Sequence, residues 1–565
     1  MPAFIAKDGK ALLNILIAPQ PTPQEAYAAA ELRHYLNLIT AVPFAITSEE
    51  GGPAIAIALD KALGDDAFAI KTAGSSIHIV GGRRGVIYGV YELLEAMGCR
   101  FFTPTCEKIP CVPDLPLPMI NCAHKPALEY RWHNYKDLAQ NPRFAVKSRL
   151  NGTALPEEYG GGAPYAWFVH SFEREIIHPD DYFDEHPEYF SMVDGKRLRD
   201  FSQLCLTNPE VLDITVEKVR AALRSRPECR IISVSQNDCE NFCECPACAA
   251  IDSREESHAG SLIWFVNQVA ERIEEEFPQV VVDTLAYMYS RKPPKYLRPR
   301  HNVCVRLCSI ECCFAHSFES CDENAAFIED LRAWAKVCDR LYIWDYTTGF
   351  AHYPAPHANW NALQPNIRSF VRSNVKGVFE QACGALGGST DLNKLRAYLL
   401  CKLLWDADCD LETHKREFCE YYYGAASPHI LAYIDALTGR VERNDIHTGF
   451  NDECDKAYLT DAMLDIYDGF FERAERAVIG DALRHARVAK ARLSIRWVRM
   501  KNKQMLQGVI DPQEMNQFWT DWRAHGLTRI EEWVSAETTL RAFLEGKWRG
   551  QFYYRHWTDE GPERL

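Results

Sequence analysis

The sequence predicts an α/β protein: a (β/α)8 TIM-like barrel with an N-terminal α+β domain and a C-terminal helical domain. Three observations carry this. Between residues 126 and 388 short apolar runs alternate with helical patterns, as in βα units around a parallel sheet. Polar side chains gather at the C-terminal ends of those runs, the face on which such barrels keep their chemistry. At 565 residues, the chain is also too long for a single core. The expected boundaries are 1–125, 126–388 and 389–565.

Composition narrows the function classes. A net charge of −15 argues against a nucleic-acid or anionic-membrane binder, and no apolar stretch approaches the length of a membrane span. Residues 1–7 lack a basic region followed by an apolar run, and 21 cysteines in a large chain suit a reducing cytoplasm better than a disulfide framework. A cytoplasmic protein is expected, and a homo-oligomer is compatible with the sequence.

In the first domain, 12–18 reads as a strand, and Thr22-Pro23-Gln24-Glu25 has the form of a capping box with Pro at the first helical position. Ala28, Leu32, Tyr35 and Leu36 continue an apolar helical stripe. Strands follow at 54–59 and 76–80. Gly81-Gly-Arg-Arg-Gly85 then turns the chain into a second helix. That stretch lacks the spacing of either nucleotide fingerprint, so a tight turn is expected rather than a phosphate cradle. A Pro-rich connector spans 104–126.

Eight candidate barrel strands follow, at 128–133, near Asn151, and at 167–170, 230–236, 280–287, 302–308, 340–345 and 376–380. Their C-terminal ends carry His133 and Asn134, His170, Asn237 and Asp238, Tyr287, Asp345 and Tyr346, and Glu380 and Gln381. Carboxylates ending separate apolar runs draw notice because burying one unpaired is expensive. Ion-paired and capping roles are the alternative for any one of them.

Glycoside hydrolysis needs an acid for the leaving oxygen and a second group for the cationic sugar carbon. Where the substrate carries an N-acetyl group, its own carbonyl oxygen serves as nucleophile, and the protein supplies a proton donor and a group to orient the acetamide. Asn237 and Asp238 are adjacent candidates for those jobs. Trp344-Asp345-Tyr346 adds stacking surface beside a carboxylate.

Several motifs carry a resemblance. Arg131-Trp-His-Asn-Tyr135, His186-Pro-Glu-Tyr-Phe190, Gln203-Leu-Cys-Leu-Thr-Asn-Pro-Glu-Val211, Ser235-Gln-Asn-Asp-Cys239 and Gly377-Val-Phe-Glu380 resemble the domain-of-unknown-function family 4838. That domain is similar to glycoside hydrolase family 163, whose activity is endo-β-N-acetylglucosaminidase. The stretch 81–102 resembles the non-catalytic domain preceding the barrel in family 20 hydrolases and α-glucuronidases. The resemblance implies retaining, substrate-assisted cleavage of a β-N-acetylglucosaminide within a glycan or oligosaccharide, with no catalytic cofactor. Family 20 barrels carry an Asp-Glu pair after the fourth strand, with the Glu as acid. The corresponding place here reads Asn237-Asp238. This makes Asp238 the expected acid/base and Asn237 the acetamide contact, with Glu380 the rival acid. Asp345, Tyr346, Trp344, His170, Tyr287, His133 and Asn134 are expected around the sugar.

Cys239-x3-Cys243-x-Cys245-x2-Cys248 is a compact thiol knot. Cys243, Cys245 and Cys248 suit a structural Zn²⁺, with a fourth ligand from Cys308, Cys312, Cys313 or His316; buried free thiols are the alternative. From residue 391 the pattern is helical, ending in Trp519, Trp522, Trp533, Trp548 and Trp557, read as packing. Three other readings stay open: an α-glucuronidase-like enzyme using Asp345, Glu380 and a water; a non-catalytic glycan-binding protein; and a zinc-stabilised scaffold.

Overall fold

Thr22 opens the first helix, Pro23–Thr40, by the reciprocal bonds its sequence calls for. Its hydroxyl accepts from the Glu25 N–H while the Glu25 carboxylate accepts from the Thr22 N–H. The computed structural model describes residues 4–545 except 153–154, 385–387, 389–390, 509–510 and 533–534. The helix packs with a second one, Gly85–Ala96, beside a six-stranded sheet. Its order is Asn121–His124, Phe68–Ala73, Ser76–Gly81, Ala54–Leu59, Asn14–Leu16 and Ile46–Thr47. Three of these strands were not expected, the short Ile46–Thr47 among them. Phe68–Ala73 hairpins back onto Ser76–Gly81, and Asn121–His124 lies inside the Pro-rich connector as an edge strand, where proline neighbours are tolerated. The turn at Gly81 is tight. A Cβ on Gly82 would sit 1.6 Å from the Gly64 carbonyl oxygen, and one on Gly85 would sit 1.9 Å from that of Ala67. Close backbone approach therefore accounts for the glycines.

The middle of the chain builds a curled, all-parallel sheet of six strands. They are β1 (Tyr130–His133), β2 (Ile231–Ser233), β3 (Val281–Ala286), β4 (Val303–Cys308), β5 (Leu341–Tyr346) and β6 (Gly377–Gln381), in the order β1-β6-β5-β4-β3-β2. The first strand pairs with the last, as a sheet rolling up requires. The expected runs near Asn151 and at 167–170 are not strands. Backbone bonds nevertheless cross between the two sheet edges: Asn151 N–H to the Arg131 carbonyl, Ala163 N–H to that of Asn151, and Ala166 N–H to that of Ile231. Inside the curl, the fully buried Arg306 pairs with Asp283 at 3.3 Å and lies against the rings of Tyr130, Tyr165 and Tyr342. The interior is a packed polar-aromatic floor rather than a pore.

Asp66 ties the N-terminal six-stranded sheet and its helices to this sheet. Its carboxylate accepts from Arg84 at 2.5 Å, from Arg131 of β1 at 3.2 Å and from Asn151 at 3.1 Å. Burial opposes its charge, but the two guanidiniums prevail and hold the carboxyl down at about 2. Beyond residue 391 the chain is helical, from Asn393–Trp405 through Ala536–Leu544. Among the terminal tryptophans Trp522 is fully buried against Phe518, whereas Trp533, Trp548 and Trp557 lie outside the described residues, as does the expected start of the third domain at 389. Among the described residues no helix is long and apolar enough to cross a membrane.

Candidate functional site

A cleft of about 630 Å³ opens at the C-terminal ends of β3, β4, β5 and β6. Trp344 and Tyr346 of β5 and Phe379 and Gln381 of β6 reach it by the two-residue alternation of a strand. Phe168, left 41 % exposed, lies 5.6 Å from Trp344, and Phe379 meets Trp344 edge-on at 5.0 Å. An accessible aromatic floor of this kind suits the apolar face of a ring ligand. Gln381 joins floor to wall: its Oε1 accepts from the Trp344 indole at 2.8 Å and its Nε2 donates to Glu532 at 2.7 Å.

Asp238 stands at the rim on the loop after β2, with an exposed side chain. Tyr287 Oη donates to its Oδ1 at 2.9 Å. Burial and the charge of Asp238 push the phenol far up, so it stays protonated and remains a donor. The loop is held from behind. Gln203 accepts from the Asn237 N–H at 2.8 Å and donates to the carbonyls of Asn237 and Cys239 at 2.9 and 2.7 Å. The Asn237 amide donates to the Ser202 carbonyl at 2.7 Å and accepts from the Glu173 N–H at 2.9 Å.

His170 faces the same cleft from a left-handed backbone conformation, φ +55°, directly before a π-helical turn, Phe172–Ile176. Both features are uncommon and cluster at functional sites. Its N–H donates to Ser235 Oγ at 2.9 Å, and its Nδ1 must be the proton donor to the Gln236 carbonyl at 2.9 Å. Nε2 therefore carries the lone pair. Burial lowers the imidazole's proton affinity more than Asp238 raises it, so the ring is neutral near pH 7.

The structure thus brings Asp238, His170, Tyr287, Trp344, Tyr346 and Asn134 to one cleft. Asn134 lines it with its Oδ1 accepting from the Ala382 N–H at 2.6 Å. His133, Asn237, Asp345 and Glu380 are not on the cleft surface. For three of them the cause is the pleat. His133, Glu380 and Asp345 are register partners on β1, β6 and β5, one residue out of phase with the side chains that line the cleft. His133 is fully buried with Nε2 3.3 Å from Cys401 Sγ, and burial drops its pKa to about 3. Burial lifts Asp345 to about 6 although Ser309 Oγ donates to it at 2.5 Å. Burial and the charge of Asp345 lift Glu380 further, and its Oε2 has no hydrogen-bond partner among the described residues. These two carboxyls are register neighbours behind the sheet, and both are pushed towards the protonated form. Asn237 is off the surface because its amide is committed to the loop.

Sequence reasoning missed Arg174, Glu532, Phe450 and Asn451, which also line the cleft. Arg174 sits on the π turn, exposed and without an ion pair among the described residues. Glu532 comes from the helical region, 151 residues beyond Gln381, and no local pattern marks it.

The thiol knot gains a member the sequence did not single out. Cys205, on the segment carrying Gln203, joins Cys243, Cys245 and Cys248, with the four Sγ atoms within 4.8 Å of one another and all four residues buried. None of the four ligands expected from later in the chain takes that place. Cys239 lies outside the set and donates to the Phe201 carbonyl. Met192 N–H and Arg197 donate to Cys243 Sγ, as thiolate ligands require of their surroundings. The donor set fits a tetrahedral Zn²⁺.

Comparison with known proteins gives a family and a fold. The model described as "Domain of unknown function (DUF4838)" matches residues 101–435, more than half of the chain. A solved family GH115 4-O-methyl-α-glucuronidase, with specificity for decorated arabinogalactans, superposes with TM-score 0.58 at 12 % identity over 97 % of this chain and 78 % of its own. The GH20 β-N-acetylhexosaminidase of Streptomyces coelicolor A3(2) gives TM-score 0.45 at 13 % identity over 75 % and 92 %. None of the curated proteins matches.

Proposed function

The chain belongs to the DUF4838 family, and on that premise we propose that it is a glycoside hydrolase cleaving a β-linked N-acetylglucosaminide with retention, the substrate's acetamide acting as nucleophile. The observation that carries this reading is Asp238: one exposed carboxylate, held by a protonated tyrosine, at the rim of an aromatic-floored cleft. The sugar lies over Phe168 and Trp344. Asp238 gives its proton to the leaving oxygen as the acetamide oxygen closes on the anomeric carbon, then takes a proton from the water that reopens the ring. The neutral Nε2 of His170 is the acceptor we assign to the acetamide N–H. Asn237 acts one step back, by fixing the loop. The likeness in fold to a GH115 enzyme supports a reading of the segments 151–152 and 163–167 as two irregular positions of an eight-position barrel.

A second reading rests on Arg174 and Glu532. A lone guanidinium in the cleft suits a uronate carboxylate, and Glu532 adds a second carboxylate for a two-carboxylate mechanism. Aryl glycosides, chitooligosaccharides, N-glycans and uronate-capped oligosaccharides, each with NMR of the first-formed anomer, separate the two. β-Product from an N-acetylglucosaminide supports the first; turnover confined to uronates rejects it. The Cys205 set is assigned a structural Zn²⁺ that pins the Asp238 loop and takes no part in the chemistry. The many buried thiols support a reducing, cytoplasmic location.

A further inference from the structure

A second cluster of soft donors is distinct from the Cys205 set. Cys313, His316 and Cys321 come from the connection after β4, and His447 from the loop between the helices Ser427–Arg443 and Asp461–Ala477. One donor atom of each lies within 4.8 Å of the others. Cys313 Sγ is 3.5 Å from His316 Nδ1 and 3.4 Å from His447 Nδ1, and Cys321 Sγ is 3.6 Å from His447 Nδ1. Zn–S bonds of about 2.3 Å and Zn–N bonds of about 2.0–2.1 Å give tetrahedral edges of about 3.3–3.8 Å, so these separations match.

We infer that Cys313, His316, Cys321 and His447 form a second, structural Zn²⁺ site that staples the helical region to the barrel beside the cleft. Two thiolates and two neutral imidazoles balance the ion's charge. With both histidines bound through Nδ1, their Nε2 atoms face one carboxylate, Asp445 Oδ1, at 3.8 and 3.7 Å. That is the outer-shell partner ligating histidines ordinarily have. Glu323 Oε2, 3.3 Å from His447 Nδ1, must swing aside, and its side chain is 57 % exposed and free to do so. The loop is already seated: the Phe314 N–H donates to the Thr448 carbonyl and the Phe350 N–H to that of Phe450. Phe450 stacks on Phe350 at 4.3 Å, and both Phe450 and Asn451 line the cleft. Only two residues separate His447 from that wall, so the ion sets where the wall stands.

The test is zinc content, which is independent of any turnover. Protein made in zinc-supplemented medium and dialysed against zinc-free buffer is analysed by elemental mass spectrometry, alongside Cys321→Ser/His447→Gln and Cys245→Ser/Cys248→Ser. Loss of one zinc per chain in the first variant, independent of the second, is expected. Equal zinc in Cys321→Ser/His447→Gln and the unaltered protein overturns the site. If that variant does not fold, Co²⁺ loading of the unaltered protein decides. A tetrahedral two-thiolate centre is expected in the visible spectrum, and a spectrum accounted for by a four-thiolate centre alone, or by none, overturns the inference.

Discussion

Tyr287 donates a 2.9 Å hydrogen bond to Asp238 Oδ1, and among the described residues no other side chain at the cleft donates to that carboxylate. The bond fixes which oxygen is free. Asp238→Asn is expected to lower kcat by about 10²–10⁴, the range for loss of a general acid. Tyr287→Phe is expected to lower it by about 10–100-fold, the equivalent of a hydrogen bond to a charged group. Steady-state kinetics on an activated and an unactivated N-acetylglucosaminide check both. Full turnover in Asp238→Asn would remove that residue from the acid role.

Gln203 makes three hydrogen bonds to the backbone of the loop that carries Asp238. Gln203→Leu leaves buried peptide groups unpaired and is expected to cost about 2–4 kcal/mol of stability. Because the loop also loses its register, kcat should fall more than KM rises. Urea titration and kinetics on the same preparation measure the two effects.

Asp66 is the shared partner of Arg84 and Arg131. Asp66→Ala strands both guanidiniums and is expected to cost about 3–5 kcal/mol. The folded carboxyl titrates at about 2, below its usual 3.8, so its contribution is complete above pH 3.8 and fades as the pH falls through about 2. Thermal melts of wild type and variant should converge on acidification over that window, and a constant gap would reject the assignment.

The Asp345–Glu380 pair has the opposite sign. The Asp345 carboxyl is raised from 3.8 to about 6, so the folded protein favours the proton; the penalty is absent below pH 3.8, grows between 3.8 and about 6 and is full above that. Asp345→Asn keeps an acceptor for Ser309 and is expected to stabilise the protein by about 1–3 kcal/mol at pH 7.5 and not at all near pH 3.5. Melting temperatures at the two pH values test this, and destabilisation at pH 7.5 would show that the ionised pair contributes more than its burial costs.

Much of the curled parallel sheet was legible because its strands are short runs rich in β-branched and other apolar residues: the expectations at 280–287 and 302–308 meet β3 and β4 within one residue at each end. The segments near Asn151 and at 167–170, expected as strands, are not: each makes only one or two backbone bonds to the neighbouring strand, too few for a regular ladder. Site residues were legible as positions along the chain but not as directions. Asp345 and Tyr346 are adjacent in sequence and sit on opposite faces of β5, so a rule that collects every polar residue at a strand end gathers both. Cys205 was hidden by its 38-residue separation from Cys243. His447 lay further still from its neighbours in space, and only the docking of the helical region brings it to Cys313.

The cleft is finished by residues the ribosome makes late. Its floor and Asp238 are complete once Gln381 has emerged, but Phe450, Asn451 and Glu532 follow by up to 151 residues. At translation speeds of about 5–20 residues per second, that interval lasts roughly 10–30 s. During it the nascent chain has the aromatic floor but not yet the side chains that form the far wall, so the trough cannot close before they arrive.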